Sequence, residues 1–181
     1  DDVMPLTDDQ LKARSQQLRL LLFDVDGVLT DGTIGVTGAG HEHKSFSIRD
    51  GAAIVWAQRT GLRIGLLSGR GSDATTQRAE ELKIPIVIQG ETDKRTAFLK
   101  LAATEGLQAE QIAYMGDDLV DLPVLKLAGL SAAPQDACEE VRERVHVVMR
   151  ASGGRGAVRE FIELILRGQD RWDALVRSHL T

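Results

Sequence analysis

Hydrophobic residues along the chain gather in short runs, each closed by glycine or by charge. The most continuous is Leu20-Leu21-Leu22-Phe23, followed by Asp24, Val25, Asp26, Gly27 and Val28. An apolar run this short and unbroken predicts a strand covered on both faces, with its carboxylates delivered to the C-terminal edge. Side chains alternate along a strand, so Asp24 and Asp26 are expected on one face and Val25 on the other. Two carboxylates held that close repel each other until a proton or a cation intervenes. A strand ending in Asp-x-Asp-Gly is also an ordinary turn sequence, so the pair alone decides nothing.

The pattern on either side predicts the remaining elements. Thr7-Asp8-Asp9-Gln10 has the form of a capping box, opening a helix over 6–18. Residues 33–48 read as two short strands about the turn Thr37-Gly38-Ala39-Gly40, with Ile34 and Val36 on one strand and Phe46 and Ile48 on the other. A helix over 50–60 follows, closed by Gly61. Strands are then expected at 63–68, 85–89, 112–116, near 130 and at 146–149. Helices are expected between and after them at 72–82, 94–105, 120–128, 137–144 and 155–167. Strand-helix alternation of this kind predicts an α/β fold, with a doubly wound, mostly parallel sheet covered by helices on both faces. Residues 1–181 read as one domain with a β-hairpin insertion at 33–48, a tail at 169–181 and no cap domain. The tail carries Trp172 and His179, and the pattern leaves open whether it docks on its own chain or reaches a neighbour.

Composition narrows the function. Hydrophobic residues make up 43% and charged residues 27%, as in soluble globular proteins, and the net charge of −5 leaves no electrostatic footprint for nucleic acid. No run approaches the roughly 20 apolar residues that span a bilayer, and the polar stretch before Leu20 predicts no targeting segment. Cys138 is alone, so no internal disulfide or cysteine zinc site is expected, and a cytoplasmic setting fits. His41 and His43 are expected on one face of the hairpin, but no acidic or thiol partner completes a metal site there.

Ligands of open parallel sheets bind outside the carboxyl ends of the strands, and polar residues gather at those ends. After 63–67 come Ser68-Gly69-Arg70-Gly71-Ser72, a hydroxyl and glycine amides running into a helix N-terminus, suited to an anion. Lys94 begins a helix, where the macrodipole disfavours a cation unless an anion faces it. Gly116-Asp117-Asp118-Leu119-Val120-Asp121 adds a carboxylate cluster at the same edge. Mg²⁺ takes oxygen ligands, often one or two carboxylates with water and substrate phosphate. Asp24 and Asp117 are candidate carboxylates and a backbone carbonyl near Asp26 a candidate third oxygen; the alternative reading of the cluster is that Asp118 serves only as a helix cap and Asp121 only as a brace for the loop.

The order Asp24-Val25-Asp26-Gly27-Val28, Ser68-Gly69-Arg70, Lys94 and Gly116-Asp117-Asp118-x-x-Asp121 resembles the haloacid dehalogenase superfamily. Within it, residues 24–32, Lys44-x-Phe46-x-x-Arg49-Asp50-Gly51 and Gly153-Gly154-Arg155-Gly156-Ala157-Val158-Arg159-Glu160 are similar to the phosphatases of 3-deoxy-D-manno-octulosonate 8-phosphate, over about 20–167. The resemblance implies a Mg²⁺-dependent phosphomonoesterase that supplies a sugar acid for lipopolysaccharide precursors. It implies Asp24 as nucleophile and Asp26 as acid and base, Asp24, Asp26 and Asp117 at the metal, and Ser68, Gly69 and Lys94 at the phosphate. Asp26, Ser47, Ile48, Arg49, Asp50, Gly51, Arg70, Arg78 and Lys94 would hold the substrate. It further implies a homotetramer in which hairpins pair around the axis and a neighbouring subunit walls each site. Val55 stands where a basic residue can occur in that group, which leaves the sugar open. The other readings are a phosphatase of a nonulosonate phosphate, the partner domain of a nucleotidyltransferase, and a catalytically silent oligomerisation module.

Overall fold

Apolar runs and their alternation set the architecture of the computed structural model, which describes residues 5–181. Residues 1–4 of the expected single domain lie outside the described residues. Strands β1 (Leu20–Phe23), β4 (Arg63–Leu67), β5 (Ile86–Ile88), β6 (Ile112–Met115), β7 (Leu130–Ala133) and β8 (Val147–Val148) form one parallel sheet, and β2 (Gly35–Val36) pairs antiparallel with β3 (Glu42–His43) in a separate hairpin. The sheet order is β5-β4-β1-β6-β7-β8. From β1 the chain moves outward through β4 and β5, then returns to build the other half from β6. The order therefore reverses between β1 and β6, where open α/β sheets leave a crevice at the carboxyl ends.

Pleating divides the core in two. Leu21 and Phe23 of β1, Ile64 and Leu66 of β4, and Ala113 and Met115 of β6 face one layer. There they meet α2 (Ile48–Arg59) and α7 (Ala157–Gly168), with α1 (Asp8–Gln17) outside. Leu20, Leu22, Ile112 and Tyr114 face the other layer, formed by α4 (Lys94–Glu105), α5 (Leu122–Leu125) and α6 (Glu139–Arg142). Helix α3 (Asp73–Glu81) closes the β4 side through Ala79. Helix α7 buries Val158, Phe161, Ile162, Ile165 and Leu166, and the Phe161 ring meets Phe23 edge to face at 6.4 Å. A fully buried side chain of this size contributes about 1.5–3 kcal/mol.

Several boundaries differ from the sequence reading. The second hairpin strand is Glu42–His43, not a segment through Phe46 and Ile48. Ser47 instead caps α2 by accepting the Asp50 N–H, so Ile48 starts that helix. The expected helix over 120–128 is a 3₁₀ turn, Leu119–Asp121, running into the four-residue α5, with Pro123 in its first turn. The tail contains α8 (Trp172–Ser178), which the pattern did not predict. It docks on its own chain: Trp172 meets Trp56 edge to face at 6.2 Å, and the Arg171 guanidinium donates to the Thr60 carbonyl at 2.9 Å.

Candidate active site

The nucleophile loop begins where β1 ends. The Asp24 N–H donates to the Met115 carbonyl, carrying the β1–β6 pairing one residue past the strand. The chain then turns: the Val25 carbonyl accepts the N–H groups of Val28, Leu29 and Thr30. Asp26 therefore sits in a turn, not on a strand face. Asp24 and Asp26 nonetheless line the same cleft, while Val25 is buried in the core. Gly27 permits the bend. Its φ is +85°, and a Cβ there would fall on the Asp117 carboxylate, so only glycine brings the loop this close. The buried Thr30 hydroxyl accepts the amides of Gly27 and Gly32 and clamps the turn.

The cleft has a volume of about 420 Å³ and is lined by Asp24, Asp26, Ser68, Gly69, Arg70, Lys94, Asp117 and Asp118, among others. The ends of four strands, β1, β4, β5 and β6, thus supply it. Ser68 follows β4; it is buried, and its Oγ accepts the Arg70 N–H at 3.3 Å. Lys94, the first residue of α4, is only 3% exposed. Its Nζ lies 3.1 Å from Asp24 Oδ1, 2.8 Å from Asp121 Oδ1 and 3.2 Å from the Tyr114 hydroxyl.

Asp121 supports this arrangement from beneath. Oδ1 accepts the Lys94 ammonium and the Tyr114 hydroxyl, and Oδ2 accepts the N–H groups of Asp117 and Asp118. All of its ordinary acceptor positions are filled by the protein. Gly116 leaves room for it, since a Cβ there would overlap the Asp121 side chain.

Crowding of these carboxylates shapes their acidity. Burial pushes the Asp24 carboxyl well above the usual carboxylate range; the Asp121 charge adds to that and the Lys94 ammonium opposes it. Asp117 is pushed up to about 7, chiefly by burial and then by Asp121. Burial disfavours the Lys94 ammonium, yet Asp24 and Asp121 outweigh it and raise the lysine pKa. Burial, with Asp121 beside it, also keeps the Tyr114 phenol from ionising.

Oxygens of Asp24, Asp117 and Asp121 lie within 4.8 Å of one another. With Asp121 saturated, Asp24 and Asp117 are the acidic donors left, and a buried and a half-buried carboxylate facing an open cleft fit a hard divalent cation that keeps water and phosphate as its other ligands. The Asp26 carboxylate is outside this cluster: the Lys44 ammonium holds its Oδ1 at 2.8 Å.

The expected substrate contacts divide into two groups. Asp26, Arg70 and Lys94 line the cleft. Ser47 and Arg49 line a separate depression with Arg155, Gly156 and Arg159. Arg78 donates to the Ser47 carbonyl and packs on Gly51, and Ile48 is 83% exposed. Asp50 is buried and its Oδ1 accepts the Arg159 N–H, tying α2 to the start of α7. Sequence reasoning missed Lys44 as a partner of Asp26 and Tyr114 as a partner of Lys94. The second had a signal, because a tyrosine inside an apolar strand needs a hydrogen-bond partner for its hydroxyl.

Comparison with known proteins gives the family. Residues 86–162 match the haloacid dehalogenase-like hydrolase family. The chain is 42% identical over 167 residues to the 3-deoxy-D-manno-octulosonate 8-phosphate phosphatase of Yersinia pestis, covering 92% of this chain and 89% of that one. It belongs to the haloacid dehalogenase-like phosphatases. Among solved structures, the phosphatase of that name from Moraxella catarrhalis, in complex with magnesium ion, phosphate ion and a KDO molecule, superposes with a TM-score of 0.92 at 35% identity, over 94% of this chain and 98% of that one. The cobalt-bound deoxy-D-mannose-octulosonate 8-phosphate phosphatase of Haemophilus influenzae gives 0.89 at 36% identity, over 93% and 99%. Among the described residues no helix is long and apolar enough to cross a membrane.

Proposed function

We propose that this chain hydrolyses 3-deoxy-D-manno-octulosonate 8-phosphate to the free sugar acid and phosphate, through an aspartyl phosphate on Asp24 and with Mg²⁺ as cofactor. Its similarity to the Yersinia pestis phosphatase over nearly the whole of both chains carries the choice of substrate.

The residues divide the work. Asp24 Oδ attacks phosphorus; the ester P–O bond breaks, and its electron pair goes to the sugar oxygen, which takes a proton from the Asp26 carboxyl. A water then attacks the phosphoryl group, giving one proton to the Asp26 carboxylate, and the acyl phosphate bond breaks to restore Asp24. Ser68, the Gly69 amide and Lys94 hold the phosphoryl oxygens as charge spreads over them. Asp24, Asp117 and the Asp26 backbone carbonyl are the residues proposed to hold Mg²⁺, which offsets repulsion between carboxylate and phosphate dianion. Arg70 suits the carboxylate of the sugar acid through its forked donors.

The hairpin and the cleft also support assembly. Val36 is 68% exposed and Ile34 and Ile48 are exposed with it, and a two-stranded hairpin this short is marginal alone in water. We propose a homotetramer in which hairpins pack together and a neighbouring subunit walls each site, with Ile48 and Arg49 exposed beside Ser47 and with Asp50, Gly51 and Arg78 bracing them from within. The lone half-buried Cys138 suits a cytoplasmic enzyme, where the sugar acid would feed lipopolysaccharide precursor synthesis.

Phosphate release should be measured on a panel of sugar-acid phosphates of eight and nine carbons, with and without Mg²⁺. The expected result is metal-dependent turnover with preference for the eight-carbon substrate. Preference for a nine-carbon acid would move the substrate to the nonulosonates, and release from none would remove the enzymatic reading.

A further inference from the structure

Asp26 performs two opposite tasks in the proposed reaction, and only the second needs its carboxylate ionised and aimed before a mobile water arrives. The Asp26 side chain is 23% exposed at the cleft, and a side chain not packed into the core keeps rotamer freedom. The hairpin removes that freedom. Lys44 follows β3 directly, and its side chain is fully buried although the backbone around it is exposed. Its Nζ is 2.8 Å from Asp26 Oδ1 and 4.0 Å from Glu42 Oε1. Glu42 is fixed in turn by Arg70, whose guanidinium donates to Oε2 at 2.8 Å. A lysine loses about 1.5–2 kcal/mol of rotamer freedom on being buried, so this burial must return an interaction. Only one oxygen of Asp26 is engaged by Lys44, which leaves the other for a proton.

We propose that Lys44 is a positioning residue for the hydrolytic half of the reaction: it holds the Asp26 carboxylate against the hairpin so that its free oxygen accepts a proton from the water attacking the aspartyl phosphate. In that step the water oxygen forms a bond to phosphorus, the acyl P–O bond breaks with its electron pair returning to Asp24, and one water proton passes to Asp26. Lys44 touches neither water nor phosphate; it acts through Asp26. The hairpin, which also carries the exposed apolar residues Ile34 and Val36, thereby links the surface proposed for assembly to the rate of phosphoenzyme breakdown.

This inference rests on the aspartyl-phosphate reading, and the test separates the two. Rapid-mixing measurements with p-nitrophenyl phosphate and Mg²⁺ follow nitrophenol directly, and its good leaving group makes formation of the phosphoenzyme insensitive to a proton donor. For Lys44→Met the expected trace is a burst of one nitrophenol per site at the parent's rate, followed by a steady state roughly tenfold or more below the parent, a fraction of the 10²–10⁴ that general acid-base catalysis supplies. Lys44→Arg, which keeps the cation, should recover most of the steady-state rate. A burst slowed in proportion to the steady state, or a steady state equal to the parent's, would overturn the role of Lys44. A parent enzyme that hydrolyses neither the aryl phosphate nor the octulosonate phosphate would overturn the functional reading itself, and this inference with it.

Discussion

Lys94 places its ammonium 3.1 Å from Asp24 Oδ1, and both residues are nearly closed to solvent. A cation at a helix N-terminus works against the macrodipole, so its presence is explained by what it faces. Asp24 and Asp121 supply the opposing charge in the free protein, and in turnover the phosphoryl group would share it.

Lys94→Met leaves two buried carboxylates without their cation. Removing one member of a buried, hydrogen-bonded charge pair costs about 3–5 kcal/mol, so a marked fall in the urea midpoint is expected. Phosphatase activity should fall by roughly 10²-fold or more, as when a preorganised charge donor is lost. Retained activity at parent level would show that the ammonium does not meet the phosphoryl oxygens.

Tyr114→Phe removes only the hydroxyl that donates to Asp121 Oδ1. That hydroxyl also accepts from the Lys94 ammonium at 3.2 Å, while the Lys94 contact to Asp121 remains, so two hydrogen bonds to charged groups are lost, at about 1.5–3 kcal/mol each, seen as a lower urea midpoint. Activity should fall less than for Lys94→Met, and the difference between the two variants measures how far Tyr114 acts through the lysine.

Gly27→Ala tests the close approach of the nucleophile loop to Asp117. The φ of +85° costs an L-residue about 1–2 kcal/mol, and the added methyl would displace the Asp117 carboxylate. Circular dichroism should stay native while the Mg²⁺ concentration needed for half-maximal activity rises. An unchanged metal requirement would place Asp117 outside the metal site.

The raised pKa of Asp117, about 7, predicts an unusual pH response in metal-free protein. Between the ordinary carboxylate range and 7 the folded state binds more protons at this position than the unfolded state. Asp117 therefore favours folding at low pH, and that contribution is lost as pH rises from about 4 to 7, then stays constant. Burial and Asp121 are the causes, so a cation at the site should reverse the trend. Urea unfolding at pH 5 and 7.5, with chelator and then with Mg²⁺, checks both signs. Stabilisation by Mg²⁺ should be larger at pH 7.5, and an equal or larger effect at pH 5 would contradict it.

Much of this molecule is legible in its sequence, for reasons that also explain the rest. Strand-to-helix alternation gave the parallel sheet because each buried strand is a short apolar run and each helix is bounded by caps such as Thr7 and Gly61. Asp24, Asp26, Ser68, Gly69, Lys94 and Asp117 stood out because each lies at the end of a strand or the start of a helix, and the topology gathers those positions at one edge. Lys44 with Asp26, and Lys94 with Tyr114, are contacts between side chains 18 and 20 residues apart, set by the fold and not by local spacing. Helix α8 escaped because its stability comes from Trp56 and the Thr60 carbonyl on another element, while its own seven residues carry little helical pattern. The second hairpin strand was misplaced because Phe46 and Ile48 alternate as a strand would, although Ser47 between them is a helix cap.

Reduction of the enzyme with borohydride during turnover tests the central claim most directly, since an acyl phosphate on aspartate is converted to homoserine at the modified position. Mass spectrometry of the proteolysed protein should find homoserine at position 24, only when substrate and Mg²⁺ are both present. Continued turnover with position 24 still aspartate, or with homoserine at another carboxylate, would contradict the assignment of Asp24 as the phosphoryl acceptor.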